Sequence, residues 1–334
     1  MIWLAALGLA VAASAGLEVF WRSRGHRPTT NGTGTEVEPW VEARARATGD
    51  AFVLVGQSRA QAGFCGETFR QRCPDQEFVN LAVSGLPPLA TLRDLAGDDD
   101  FHGTILCSVV PHVFEPSELD AQQEYVDAYH HRDALAGWLE LDLAPWFRAR
   151  MASLQPKLAL PRVAIDLALR RPLPTPDYVT VNGDRSMVID FSATDVERLR
   201  TWRIERTRRG LANRTIPSPA RWAEDVRDIV PWIRAIEARG GRVIFVRFPT
   251  SGEHVAITEH YYPRADYWDR LADLTGVRTF HFADDPRTAH FVCPDTSHLD
   301  WSDAPRFTAA LLDVLEPWLA GSSGDESAAP PRGR

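Results

Sequence analysis

The stretch Phe52-Val53-Leu54-Val55-Gly56-Gln57-Ser58 decides the fold, because an uninterrupted apolar run passes through a glycine into a serine. Four consecutive apolar residues predict a strand that is buried on both faces, as in a parallel sheet covered by helices. Similar short runs recur along the chain and alternate with segments of helical periodicity. We therefore predict an α/β fold with strands at 51–55, 78–83, 104–110, 243–248 and 277–282.

Composition and charge exclude some classes of partner. The chain has 334 residues, of which 44% are hydrophobic and 25% are charged, as in an ordinary globular protein. Its net charge of -8, with basic residues interleaved among acidic ones, argues against binding to nucleic acid. His130 and His131 are adjacent and would point in different directions from a helix, while His254 and His260 lack a nearby zinc-type pattern. We predict no metal and no other cofactor.

The N-terminal segment is apolar. Residues 1–17 carry no charged side chain, and as a helix the apolar segment through 21 is about 25–30 Å long, enough to span or nearly span a bilayer. Two interpretations compete, an uncleaved single-pass anchor and a signal peptide cut after Ala13-Ser14-Ala15. The anchor is favoured because no charged residue precedes the run. By the positive-inside rule alone, three following arginines would keep the folded part in the cytoplasm: Arg22, Arg24 and Arg27.

The rest of the chain divides by composition. The predicted segments are an anchor or signal at 1–25, a flexible linker at 26–38, a folded domain at 39–319 and a disordered tail at 320–334. A large insertion, 115–223, separates the third and fourth strands and is far longer than a crossover needs. It contains aromatic-rich helical segments and a hairpin signal, marked by Trp138, Trp146, Phe147 and Asn182-Gly183. The insertion either forms a lid or substrate platform, or completes the core.

The four cysteines allow two interpretations. Cys65 and Cys73 are eight residues apart on either side of a predicted helix end, a spacing that permits a disulfide in an oxidising compartment. The alternative is that the cysteines are small buried hydrophobic residues, and this is favoured for Cys107 inside a strand-like run.

Two short motifs supply the candidate chemistry. Ser58 stands where a buried strand turns into a helix, and Asp295-Thr296-Ser297-His298 precedes the last predicted helix. A serine, a histidine and an aspartate are the nucleophile, base and orienting group of acyl-transfer sites. Arg247 and His254, in and just after the fourth predicted strand, are candidate substrate contacts at the carboxyl edge of the sheet.

These motifs give the sequence a family resemblance. The chain resembles the SGNH (GDSL-like) hydrolase superfamily in three blocks that occur in the family's order. The blocks are Val53-Leu54-Val55-Gly56-Gln57-Ser58-Arg59, Asn80-Leu81-Ala82-Val83-Ser84-Gly85 and Asp295-Thr296-Ser297-His298-Leu299. The resemblance implies a flavodoxin-like three-layer α/β/α domain, for which we predict five parallel strands in the order 2-1-3-4-5.

The resemblance also implies roles for individual residues. Ser58 would be the nucleophile, His298 the base and Asp295 its orienting partner, with the amides of Ser58 and Gly85 receiving the oxyanion. Arg59, beside the nucleophile, joins the candidate substrate contacts. The sequence departs from the family at Gln57, where an acidic residue is usual, and at Ser108-Val109-Val110-Pro111-His112, which replaces a Gly-x-Asn-Asp block. The family's asparagine completes the oxyanion hole, and His112 is the candidate replacement donor.

Three function classes follow. The first is a serine-dependent esterase or O-acyltransferase that acts on acyl esters of an envelope carbohydrate through an acyl-enzyme, since similar variant blocks occur in membrane-anchored relatives linked to bacterial polysaccharide O-acylation. This class predicts an acylated carbohydrate or acyl donor, polysaccharide-assembly proteins as partners and an extracytoplasmic domain. The second is an inactive SGNH-like domain that binds glycan or an assembly partner. The third, an anchored phosphate-binding module, lacks a glycine-rich loop.

Overall fold

The computed structural model describes residues 2–29, 36–132 and 150–320. Its strands are β1 (Phe52–Val55), β2 (Phe78–Asn80), β3 (Thr104–Ser108), β4 (Val179–Val181), β5 (Met187–Ile189), β6 (Arg242–Arg247) and β7 (Arg278–His281). The first six helices are α1 (Ile2–Ser23), α2 (Val37–Arg44), α3 (Ser58–Gly63), α4 (Gly66–Arg72), α5 (Leu89–Ala96) and α6 (Gln123–His131). The later helices are α7 (Leu160–Ala168), α8 (Val196–Ala212), α9 (Pro219–Arg227), α10 (Val230–Ala238), α11 (Glu253–Tyr261), α12 (Leu271–Thr275), α13 (Pro286–Ala289) and α14 (Ala304–Ala320).

The central sheet has five parallel strands in the order β2-β1-β3-β6-β7. The predicted α/β class and the predicted order 2-1-3-4-5 are therefore confirmed. Each strand lies within its predicted run or differs from it by one residue at the start. The second run ends as a strand at Asn80, although Leu81 still donates its amide to the Leu54 carbonyl and Val83 to that of Gly56.

Helices cover both faces of this sheet. Successive side chains of each strand point to opposite faces, and because β1 is apolar throughout, both faces must be buried. Val53 and Val55 of β1 join one apolar cluster with residues of α2, α5 and α10. Phe52 and Leu54 join a second cluster with residues of α3, α4 and α14. The structure thus has the three-layer α/β/α arrangement that continuous apolar strands predict.

One predicted helix is divided in two. Apolar residues between 226 and 236 recur with helical spacing and predict one helix that ends at Gly240-Gly241. The structure ends α9 at Arg227 and begins α10 at Val230. Pro231 stands in the first turn of α10, where its missing amide costs nothing, whereas within a continuous helix it would remove a hydrogen bond. The predicted end is confirmed, since Gly240 follows α10 with a φ of 86°.

The insertion, as far as it is described, carries the predicted hairpin. β4 and β5 pair antiparallel, and five residues connect Val181 with Met187. Arg185 in this connection is buried, and its guanidinium donates hydrogen bonds to the carbonyls of Asn80 at 2.7 Å and Ala82 at 3.2 Å. The hairpin is thereby fastened to the carboxyl end of β2. Trp138, Trp146 and Phe147 lie outside the described residues.

The N-terminal helix α1 is long and apolar enough to cross a membrane by length and composition. Its last turns contact the insertion: Glu18 accepts hydrogen bonds from the amides of Ala152 and Ser153, and Trp21 is 2% exposed. His26 and Thr29 are also buried. Residues 26–29 of the predicted linker therefore pack against the insertion, while 30–35 and the tail beyond 320 lie outside the described residues.

The predicted link between Cys65 and Cys73 is wrong for this structure, in which both cysteines are free. Cys65 precedes the first residue of α4 and Cys73 follows its last. Eight residues of helical rise separate their Cα atoms by about 12 Å, whereas a disulfide requires less than about 7 Å. Cys107 is buried in β3, as predicted.

Gly56 permits the close approach that ends β1. Its φ is 155°, and a Cβ at this position would lie 2.7 Å from the Ser108 Cβ and 2.9 Å from the Ala60 Cβ. We expect Gly56→Ala to lower the free energy of unfolding by about 2–4 kcal/mol through backbone strain and overpacking. Gly210→Ala is the matched control, because nothing lies within 4 Å of its added Cβ. Urea unfolding in detergent compares them, and equal stability of the two variants would contradict the packing argument.

Candidate active site

The fold brings Ser58 and His298 together from positions 240 residues apart in the sequence. Ser58 is the first residue of α3, directly after the Gly56 turn that ends β1. His298 lies in the loop before α14. The Oγ of Ser58 is 2.8 Å from Nε2 of His298, a normal hydrogen-bond distance.

Asp295 holds the other side of the imidazole. Its Oδ2 is 2.9 Å from Nδ1 of His298, and its Oδ1 accepts hydrogen bonds from the amides of Ser297 and His298. Burial alone would raise the pKa of Asp295, but the hydrogen bond from His298, the charge of Arg203 and the amide of Ser297 hold that pKa well below its usual range. The carboxylate is therefore ionised at neutral pH.

His298 is a neutral imidazole at neutral pH. Burial lowers its pKa, and Arg203 and Arg59 lower it further, while Asp295 partly offsets these effects. With Asp295 ionised, Nδ1 carries the ring proton and donates a hydrogen bond to the carboxylate. Nε2 is then an acceptor for the Ser58 hydroxyl, which is the tautomer that a general base requires.

The loop between these residues is strained at Thr296. This β-branched residue has a φ of 74°, in the left-handed region that such side chains avoid. Its amide donates to the Cys293 carbonyl and its carbonyl accepts from the Ser251 amide, each at 2.9 Å. These two bonds hold the conformation that places Asp295 and His298 on either side of the bend. Strain of this kind clusters at functional sites.

Sequence reasoning missed one residue, Arg203. It lies on α8 of the insertion, and its Nε forms an ion pair with Asp295 Oδ2 at 2.7 Å. Arg200 of the same helix donates to the Pro294 carbonyl at 3.1 Å. No sequence signal distinguishes Arg203, because α8 contains several arginines and its contact depends on tertiary packing. The insertion thus reaches the orienting carboxylate directly.

A cleft of about 790 Å³ opens onto this site between the sheet and the insertion. Its walls come from the hydrogen-bonded residues, from the turn after β2, from the hairpin and from α8. Lining residues include Ser58, Gly85, Tyr178, Trp202, Asp295 and His298. The site is therefore open to a ligand of moderate size, and part of its wall is aromatic.

The expected oxyanion donors differ in position. Gly85 lines the cleft with a φ of 81°, and within the described residues no main-chain carbonyl accepts a hydrogen bond from its amide or from that of Ser58. His112 does not line the cleft. Its ring centroid lies 6.5 Å from that of Tyr262, and burial with nearby arginines lowers its pKa to about 3. The structure therefore does not bring His112 into the position expected of the replacement donor.

The three candidate substrate contacts lie behind the serine. Arg59 Nε donates to Ser297 Oγ at 3.1 Å, and Arg59 Nη2 donates to His254 Nε2 at 2.8 Å. Arg247 is the last residue of β6 and is buried. None of the three lines the cleft. In the described ranges, no group of three His, Cys, Asp or Glu residues is placed to hold a metal ion.

Comparison with known proteins adds little. No family model matches the chain, and no curated protein matches it either. A solved structure titled "Crystal Structure of TesA" is similar over 80% of this chain and 99% of that chain, with 10% identity and a TM-score of 0.35. This similarity is too distant to bear on activity, so the site must be interpreted from its own geometry.

The position of Arg203 predicts that its substitution changes the pH dependence of activity. Its charge lowers the pKa of His298, so Arg203→Gln raises that pKa toward its ordinary value. Because the base must be neutral, we expect the acidic limb of the kcat/KM profile to move to higher pH. Arg203→Lys, which keeps the positive charge, should show a smaller shift than Arg203→Gln, and Arg198→Gln on the exposed side of α8 should leave the profile unchanged. An unshifted limb in Arg203→Gln would show that the ion pair does not tune the base.

Proposed function

We propose that this protein is a serine-dependent esterase or O-acyltransferase that acts on acyl esters of an envelope carbohydrate through an acyl-enzyme. One observation carries the proposal: Ser58, His298 and Asp295 form a continuous chain of contacts, at 2.8 Å and 2.9 Å, that opens into a cleft. The resemblance of the sequence to the SGNH hydrolases supports the same roles.

The geometry supports a two-step reaction. The Oγ of Ser58 attacks the acyl carbon while Nε2 of His298 takes the hydroxyl proton, and Asp295 stabilises the imidazolium that forms. Nε2 then returns the proton to the departing alcohol oxygen, which leaves the acyl group on Ser58. In the second step Nε2 takes a proton from water or from an acceptor hydroxyl, whose oxygen attacks the acyl carbon. Nε2 then returns that proton to the departing Oγ, which restores Ser58 and the neutral imidazole.

The amides of Ser58 and Gly85 are the proposed oxyanion donors. Both belong to turns that follow parallel strands, β1 and β2, so they lie at the same edge of the sheet. Glycine at position 85 is needed because the φ of 81° disfavours a side chain. A missing third donor costs about 2.7–4 kcal/mol of transition-state stabilisation, which predicts a slow enzyme unless substrate binding supplies another group.

Two features of the structure support a carbohydrate substrate. Trp202 and Tyr178 line the cleft, and aromatic faces pack well against sugar rings. The apolar helix α1 fits an anchored domain at the cell envelope, where acylated polysaccharides and their assembly proteins are found. Hydrolysis and transfer share the acyl-enzyme and differ only in whether water or a sugar hydroxyl resolves it.

A second candidate function is an inactive SGNH-like domain that binds glycan or an assembly partner. The altered third block favours it, because Ser108-Val109-Val110-Pro111-His112 replaces the usual donor block and His112 does not line the cleft. Retention of a complete Ser58, His298 and Asp295 chain favours the enzyme.

Single substitutions separate the two candidates. We expect Ser58→Ala and His298→Ala each to lower turnover of acetylated glycans by about 10⁴-fold or more, with the double variant little worse than either, because the two side chains act as one unit. A fluorophosphonate should label the wild type and not Ser58→Ala. Ser117→Ala and His102→Ala, both exposed, are the matched controls. Absence of serine-dependent turnover and of labelling in the wild type would favour the binding domain.

The proposed substrate also predicts a location. The folded domain should lie outside the cytoplasm, even though the three arginines after the apolar run favour the opposite orientation. An alkaline phosphatase reporter fused after Leu319 should be active in cells, because this enzyme becomes active only outside the cytoplasm. A reporter that is active only in the cytoplasm should be inactive at the same position. The reverse pattern would remove the envelope glycan as substrate and leave the chemistry of the site untouched.

A further inference from the structure

Arg59 and His254 are hydrogen-bonded, and the charge of the nearby Arg247 acts on His254; we call Arg59, Arg247 and His254 the basic cluster. Arg59 follows Ser58 in the chain and donates to Ser297, which precedes His298. Its Nη2 also donates to His254 at the start of α11. Arg59 is therefore next to the nucleophile in the sequence, and its hydrogen-bond partner Ser297 is next to the base. Arg59 is half-buried, whereas Arg247 and His254 are buried.

Arg247 is a buried cation without a counter-ion. Its side chain stands at the carboxyl end of β6, the residue is 6% exposed, and no described residue accepts a hydrogen bond from its Nη1. No carboxylate of the described residues forms an ion pair with it. Glu115, a buried carboxylate after β3, is already engaged by Arg214 and by the Tyr262 hydroxyl. Burying a charge without a partner is costly, which predicts an external partner.

His254 adds a second unused donor. It is 5% exposed, and its Nε2 accepts the hydrogen bond from Arg59. The proton of the neutral ring must therefore reside on Nδ1, and Nδ1 has no partner among the described residues. Burial and the surrounding arginines lower the pKa of His254 to about 2, so the ring stays neutral.

The two arginines remain charged beside it. Burial and the charge of Arg59 lower the pKa of Arg247 to about 9, and burial lowers that of Arg59 to about 10. At neutral pH the cluster therefore presents two positive charges and two unused N–H groups, one on Arg247 and one on His254. Such a set of donors selects an anion, because a neutral ligand would leave both cations uncompensated.

We infer that the basic cluster binds an anionic oxygen group, a carboxylate or a phosphate, of the same substrate whose acyl ester is attacked by Ser58. This inference rests on the proposed function and narrows it to acidic carbohydrates. Planar guanidinium groups bind carboxylate and phosphate oxygens in pairs, and the adjacent Ser58 places the ester near the bound anion. The anion would also supply orientation, which a site with few oxyanion donors needs.

Two measurements on the full chain in detergent test the inference. The first compares kcat/KM for acetylated galacturonic acid and acetylated galactose phosphate with that for neutral acetylated methyl galactoside. We expect Arg247→Met to lower the preference for the favoured anionic substrate by about 10–100-fold, mainly through KM, since charge-assisted hydrogen bonds have this strength. Arg247→Lys should retain part of the preference, and Arg287→Met, an exposed arginine, should retain all of it.

The second measurement is thermal unfolding with galacturonate, inorganic phosphate or chloride. One of the two oxygen anions should raise the wild-type Tm and fail to raise that of Arg247→Met, and the anion that does so identifies the group. Absence of a shift with both anions, or an equal shift with chloride and an unchanged substrate preference, would overturn the inference. If fluorophosphonate fails to label Ser58 while the oxygen-anion shift persists, the proposed function fails and the anion site stands.

Discussion

The carboxylate of Asp295 is the constraint on which the candidate site depends. It accepts the Nδ1–H of His298, two main-chain amides of its own loop and the ion pair from Arg203. One buried group thus fixes the tautomer of the base, the bend of the strained loop at Thr296 and the position of the insertion. Because Asp295 and Ser58 contact the two ring nitrogens of His298 from opposite sides, the imidazole is already oriented toward Ser58 before the reaction begins.

The sheet makes this arrangement possible. Parallel strands direct their carboxyl ends to one edge, so the turns after β1, β2, β3 and β6 converge although they are far apart in the chain. Gly56 lets β1 end close to β3, and α3 then begins with Ser58 at the edge. The insertion closes the space above, fastened by Arg185 at β2 and by Arg203 at the loop.

Local sequence predicted what local physics determines. Apolar runs identified all five strands of the sheet, and the strand-to-helix serine with the Asp-x-x-His loop identified the hydrogen-bonded residues. Properties that depend on tertiary packing escaped prediction. The Arg203 contact comes from a helix rich in arginine, the cysteines are held apart by the length of α4, and Pro231 divides an apparently continuous helix. His112 was assigned as the replacement oxyanion donor because of its position after β3. In the structure its ring lies near that of Tyr262 and does not line the cleft.

The central claim is that an acyl group resides on Ser58 during turnover, and intact-protein mass spectrometry after rapid mixing with an acetyl ester tests it directly. The account predicts one acetyl group per chain, located by peptide mapping on the segment that contains Ser58, and absent from Ser58→Ala. Turnover that proceeds with no covalent adduct, or with the adduct on another residue, would contradict the account.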